Sequence, residues 1–171
     1  MDKTVKFKIV IAVLLICWMA VIFAFSAQPA KQSTDVSDGF VTATITVFYP
    51  EFDNLTDETQ ADITDKLTYV IRKTAHFSEY FILGVLSSLF SVTFKKYNII
   101  GKGVASAAFC AAYAASDELH QFYVPGRACR LTDVLIDFAG ALTAVLLVIL
   151  VALKKTKKFG KSGEKRCVKK I

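Results

Sequence analysis

Phe7-Lys8-Ile9-Val10-Ile11-Ala12-Val13-Leu14-Leu15-Ile16-Cys17-Trp18-Met19-Ala20-Val21-Ile22-Phe23-Ala24-Phe25 is the stretch that decides the fold. It is uncharged after Lys8, and its nineteen residues approach the roughly 20 that an apolar helix needs to cross hydrocarbon. Three lysines, Lys3, Lys6 and Lys8, form a basic start, and Ser26-Ala27-Gln28 loosely resembles a signal-peptide cleavage site. The apolar run exceeds the about 7–15 residues of a signal core, so it is read as a retained span. Trp18 lies too near its middle to act as an interface anchor.

Three more runs follow the same logic. Phe77 to Phe94 contains only Glu79, Ile99 to Ser116 is Ala-rich and carries Lys102, and Val134 to Leu153 contains only Asp137. Of the 171 residues 54% are hydrophobic, more than an ordinary soluble domain holds, and the excess calls for lipid. The expected fold is therefore all-α, with four transmembrane helices over residues 1–153 and a basic tail over 154–171.

Loop charges give an expected orientation. Three Lys lie at the N-terminal end of the first run, three from Phe94 to Lys102, and nine of the 21 Lys and Arg residues follow Leu153. By contrast Ser26 to Lys73 holds eight acidic and four basic residues, and Asp117 to Asp137 holds four and two. Basic loops stay in the cytoplasm, so both termini and the middle turn are expected inside, in a multi-pass membrane protein. A basic tail of this kind suits contact with anionic lipid and gives no reason to expect nucleic acid.

The outer segment from Gln28 to Thr68 is polar and broken at Pro29 and at Tyr49-Pro50. Val36, Phe40 and Val47 recur at near-helical spacing, and Thr56-Asp57-Glu58 resembles a helix start before Ile63, Leu67, Val70 and Ile71. Short amphipathic helices on the outer surface are expected there. Cys17 and Cys110 fall inside apolar runs and Cys129 and Cys167 on opposite sides of the membrane, so neither a disulfide nor a zinc spacing is expected.

Three helix ends carry the candidate chemistry. At 100° per residue Arg72, His76 and Glu79 fall within roughly 60° of one another, with Lys73 beside them. In Ser116-Asp117-Glu118-Leu119-His120-Gln121, Tyr113 and Asp117 can align with His120 or Gln121. After the Val124-Pro125-Gly126 turn come Arg127 and Arg130, and then Asp133, Asp137 and Gly140 on one face. A carboxylate in hydrocarbon costs about 2.5–3.5 kcal/mol on insertion scales, so such residues line cavities or pair with each other. One account is a satisfied network, with Arg72 or Arg130 against Asp117, Asp133 or Asp137 and His76 bonded to Glu79. The other is a ligand site, which explains why so many ionisable groups gather at one end.

Two helices present their N-termini at that end, where unpaired N–H groups favour anions. With Arg72, Lys73, Arg127 and Arg130 added, a phosphate or an anionic lipid headgroup is the expected ligand. Glu79, Asp117, Glu118, Asp133 and Asp137 are hard ligands that suit a divalent cation, with His76 and His120 as nitrogen donors, but no metal motif is present and no cofactor is assigned.

These stretches together resemble the VanZ-like family. The resemblance rests on Arg72-Lys73, Ala75-His76-Phe77, Glu79-Tyr80 and Leu83-Gly84; on Ser116-Asp117-Glu118 and His120-Gln121; on Gly126-Arg127; on Asp133, Asp137 and Gly140; and on Ile22-Phe23 with Ser26-Ala27-Gln28. It touches all four runs and leaves out the tail and the detail of residues 29–65. It implies a cell-envelope membrane protein of a family linked to lowered sensitivity to teicoplanin and other lipoglycopeptides.

The reading preferred from sequence is a binder or handler of an anionic envelope lipid or cell-wall precursor at the outer leaflet. Its ligand residues would be Arg72, Lys73, His76, Glu79, Asp117, Glu118, His120, Gln121, Arg127, Arg130, Asp133 and Asp137. The rival is a membrane hydrolase or transferase acting on a lipid phosphate, with His76, Glu79 or His120 as acid–base candidates. No nucleophile motif supports it. A third reading is a structural or regulatory partner in an envelope complex.

Overall fold

The computed structural model describes the backbone of residues 2–94, 98–127 and 130–168, and side chains within those ranges except 30–36 and 155–168. The described chain is all helical: α1 (Lys3–Ser26), α2 (Ala30–Phe48), a 3-10 turn at Phe52–Asn54, α3 (Asp57–Val92), α4 (Ile99–Gln121) and α5 (Leu131–Val168). Four of these, α1, α3, α4 and the Leu131–Lys154 part of α5, are long and apolar enough to cross a membrane. The expected fold class thus stands in its helical content and number of spans. Cys129 and the basic residues Lys95 and Lys96 lie outside the described residues.

Local signals set the ends of the helices. Asp2 accepts from the Thr4 N–H at the start of α1, Thr56 from the Thr59 N–H at the start of α3, and Asn98 from the Gly101 N–H at 2.7 Å at the start of α4. Between α4 and α5 the Arg127 N–H closes a turn onto the Val124 carbonyl, and Gly126 takes φ 76°, which its missing Cβ allows.

One expectation changes. The helix capped by Thr56 does not stop short of the second span: Asp57–Val92 is one continuous 36-residue helix. No proline and no glycine before Gly84 interrupts it, and at 1.5 Å per residue it is about 54 Å long. That exceeds a hydrocarbon core of about 30 Å, so its first turns extend beyond the lipid-spanning part. Helix α5 runs on past Leu153 as far as Val168, through part of the basic tail.

The most extensive packing is α3 against α5, followed by α4 against α5. The first pair runs parallel, since Lys73 meets Asp133 and further along Gly84 meets Ala141 and Ala144. Two glycines permit the close approach. A Cβ on Gly84 would lie 2.5 Å from the Ala141 carbonyl oxygen, and one on Gly140 would lie 2.2 Å from that of Phe77. A core of Leu15, Ile22, Tyr80, Leu83, Cys110, Ala114 and Ala141 fills the centre.

Helix α1 is tied to this core by two hydrogen bonds from ring groups. Trp18 Nε1 donates to the Glu79 carbonyl at 2.9 Å, and the Tyr113 hydroxyl donates to the Met19 carbonyl at 2.7 Å. Trp18 is therefore an inter-helix strut. Elsewhere α1 exposes Phe7, Val10, Val13 and Ile16, apolar surface of the kind lipid covers.

Candidate functional site

The ends of α1 and α4 and the start of α5 meet beside the middle of α3, and the ionisable residues collect there. Lys73 and His76, one turn apart on α3, face Asp133 and Asp137, one turn apart on α5. Lys73 Nζ pairs with Asp133 Oδ1, which also accepts from Thr132 Oγ1 at 3.1 Å. His76 Nδ1 lies 3.4 Å from Asp137 Oδ1, a contact that falls short of hydrogen-bond geometry. Asp133, Asp137 and Gly140 do share the face of α5 that meets α3, as their spacing implies. The partner of His76 is Asp137 across the helix pair and not Glu79 on its own helix.

A second group joins α1 to α4. Ser26 Oγ donates to Asp117 Oδ2 at 2.7 Å, and Gln121 Nε2 lies 3.2 Å from the same oxygen. Asp117 and Gln121 are both buried. Gln121, one turn beyond Asp117, is thus the residue that aligns with it. His120 points elsewhere, stacking on Phe23 with ring centroids 4.4 Å apart.

The basic residues are used unequally. Arg127 Nε donates to the Gln28 carbonyl at 3.3 Å and Nη1 to Gln121 Oε1 at 3.4 Å, both neutral acceptors. Burial first, and the like charge of Arg72 next, pull the Arg127 guanidinium below its ordinary value, against the opposing pull of Glu118, Asp117 and Glu79. Among the described residues Arg72 has neither a hydrogen bond nor an ion pair. The Arg130 side chain is exposed, while its backbone N–H donates to Glu118 Oε2 at 3.2 Å. The expected pairing of Arg72 or Arg130 with an aspartate is therefore replaced by Lys73 with Asp133.

Two cavities open among these groups. The first, about 330 Å³, has Arg72, Lys73, Arg127 and Arg130 on its walls with Asp65 and Asp133. The second, about 230 Å³, is bordered by Phe25, Phe40, Ile71, Ala75 and Glu79. Arg72, His76 and Arg127 line both. The four basic residues singled out from sequence therefore converge on one cavity, and Arg72, His76 and Glu79 on the other. Asp117, Glu118 and Asp137 are buried behind them, and His120 lies on neither wall.

The acidic residues do not converge in the same way. Among the described residues no three His, Cys, Asp or Glu side chains come together to hold a metal ion. Asp117 accepts from Ser26 and Gln121, Asp133 pairs with Lys73 and Glu118 accepts from the Arg130 N–H, so each of these three has a protein partner.

Sequence reasoning passed over several residues of this region. Ser26 and the Gln28 carbonyl belong to the Asp117 and Arg127 networks; the sequence placed both in the stretch that resembles the family but not among the ligand residues. Phe25, Phe40, Ile71 and Ala75 carry no signal of a shared cavity, because that cavity comes from three helices meeting.

No curated protein and no solved structure matches the chain. The family model described as VanZ/LLP1 matches residues 11–152, from within α1 to near the end of the apolar part of α5. That stretch contains every residue of both cavities and most of the chain, and the protein belongs to the VanZ/LLP1 family.

Proposed function

We propose that this protein binds a phosphate-bearing lipid of the bacterial cell envelope, with the phosphate in the basic cavity and that cavity open to the outer leaflet. The observation that carries the reading is the state of two arginines. Arg72 and Arg127 border the same space without a salt bridge to any described carboxylate. Two guanidinium groups held together in a partly buried site repel each other, and a dianion between them relieves that repulsion. Arginine also presents a planar fork that fits phosphate. Lys73 is already neutralised by Asp133, so it sets the wall and adds little net charge. The charge balance of the loops supports the outward direction and the placement of both termini in the cytoplasm.

Candidate ligands are polyprenyl phosphates, peptidoglycan precursors and teichoic-acid anchors, which share a phosphate at the membrane surface. Through the family resemblance, a contribution to teicoplanin tolerance belongs to the same proposal. The protein reconstituted with envelope lipids should retain a lipid phosphate, and Arg127→Ala should lose most of that retention. Indifference of the wild type to every lipid phosphate would remove the reading.

One observation favours the enzymatic alternative. His76 lies beside a buried carboxylate and lines both cavities, an arrangement that suits an acid–base imidazole. Release of phosphate from the bound lipid by the wild type, lost in Glu79→Gln or His76→Ala with binding retained, would decide for that alternative over simple binding.

A further inference from the structure

The two cavities are chemically unlike, and phosphate uses only one of them. The first is walled by basic side chains, whereas Phe25, Phe40, Ile71 and Ala75 furnish the second, contributed by α1, α2 and α3. Phe40 is 64% exposed and Phe25 47% exposed, so this apolar wall is open along the side of the bundle. Arg72, His76 and Arg127 stand on the boundary between the two spaces.

Charge orders any ligand that fills both. Glu79 lies on the wall of the second cavity, and its carboxylate makes no hydrogen bond among the described residues. In its carboxylate form it repels a phosphate that moves inward past the arginines, and in either form the apolar wall rewards carbon there. An amphiphile therefore has one favourable placement, with its anion at the boundary and its chain beyond. At about 230 Å³ the second space is below the roughly 300–1,000 Å³ of ordinary ligand pockets, which suits the start of one chain better than two.

We infer that the second cavity holds the first carbons of a single hydrocarbon chain whose phosphate sits between Arg72 and Arg127, and that Phe40 of α2 and Ala75 of α3 determine which chains fit. The inference rests on the lipid-phosphate reading above and narrows it to single-chain phosphates. It also gives α2 a role, since Phe40 is its contribution to the chain cavity.

Short soluble esters separate the two ideas. Binding of methyl phosphate and butyl phosphate is measured by calorimetry on the full chain in nanodiscs of zwitterionic lipid, with empty discs as the partition control. Each buried methylene is worth about fourfold in affinity, so butyl phosphate should bind at least about tenfold more tightly than methyl phosphate. Ala75→Trp, which fills the space, and Phe40→Ser, which removes its wall, should each abolish that gain. Both should leave methyl phosphate affinity within about twofold of wild type, which also shows that the variants are folded. Equal affinity of the two esters for the wild type, or a gain that survives in both variants, overturns the chain cavity and leaves the phosphate reading intact. Failure of both esters to bind the wild type removes both.

Discussion

His76 on α3 lies 3.4 Å from Asp137 on α5, and Asp137 is fully buried. With Lys73 and Asp133 one turn away, the pair makes the α3–α5 crossing polar at one end, whereas Gly84 and Gly140 make it close-packed further in. A buried carboxylate that loses its neighbour keeps its desolvation cost. His76→Ala and Asp137→Asn should each lower stability, and the double variant should lose less than their sum. A coupling of roughly 1–3 kcal/mol is expected from thermal unfolding of all four proteins in detergent. Strict additivity would mean that the two residues do not act as a pair.

Gly140→Leu should cost more than any single polar substitution. Its Cβ alone would lie 2.2 Å from the Phe77 carbonyl oxygen, which belongs to the backbone and can yield only if α3 and α5 separate. Overpacking typically costs about 1–3 kcal/mol, and a backbone clash belongs at or above the upper end. The same unfolding assay reads it, with the emission of Trp18, the chain's single tryptophan, reporting whether the contact with the Glu79 carbonyl persists. Gly39, with nothing within 4 Å of its Cβ position, provides the control in Gly39→Ala.

Ser26→Ala removes the 2.7 Å donor to Asp117 and leaves that oxygen with Gln121 alone. Loss of a hydrogen bond to a buried charged group costs about 1.5–3 kcal/mol. Ser26→Thr keeps the hydroxyl and should recover part of it. Because Gln121 also accepts from Arg127, a further readout is a fall in phosphate affinity in Ser26→Ala. An effect on stability with affinity unchanged would separate the Asp117 network from the cavity.

Arg127→Lys tests whether geometry or charge matters at the boundary. Lysine restores the charge but cannot reach Gln28 and Gln121 with two separate N–H groups as the guanidinium does. Binding of a lipid phosphate should fall about tenfold to a hundredfold in Arg127→Ala and by an intermediate amount in Arg127→Lys. Full recovery by lysine would reduce the site to a point charge, and its affinity would then decline steeply with salt.

How much of this was legible in the sequence depends on whether a feature is local. Asp133, Asp137 and Gly140 lie at spacings of three and four, and a helix places such residues on one face whatever surrounds it. The capping Thr56 and the Pro125-Gly126 turn are local in the same sense. Partner choice is not. Arg72 and Lys73 differ by one position, which is 100° around α3, and only the way α5 packs decides that Lys73 reaches Asp133. His76 had Glu79 as its nearest carboxylate along the chain, yet the parallel crossing brings Asp137 to it. The length of α3 was hidden because a polar half and an apolar half differ in composition, although nothing between them breaks a helix. The apolar cavity was out of reach, since Phe25, Phe40 and Ile71 come from three helices and look like any other apolar residues.

Orientation is the link between this geometry and the proposed ligand, and two positions test it. Leu55, between α2 and α3, and Ile100, in the first turn of α4, are both exposed and lie on opposite sides of the second span. The loop carrying Leu55 belongs to the acidic segment, and Ile100 adjoins the basic turn before Lys102. In a background with the four native cysteines replaced, Leu55→Cys should react with a membrane-impermeant maleimide on intact cells. Ile100→Cys should react only after permeabilisation. The reverse pattern would turn the basic cavity toward the cytoplasm, because Arg72 and Arg127 lie at the same end as the loop and would move with it. The cavity would then meet inner-leaflet phosphates, and the arginine chemistry would survive while the proposed outer-leaflet ligands would not.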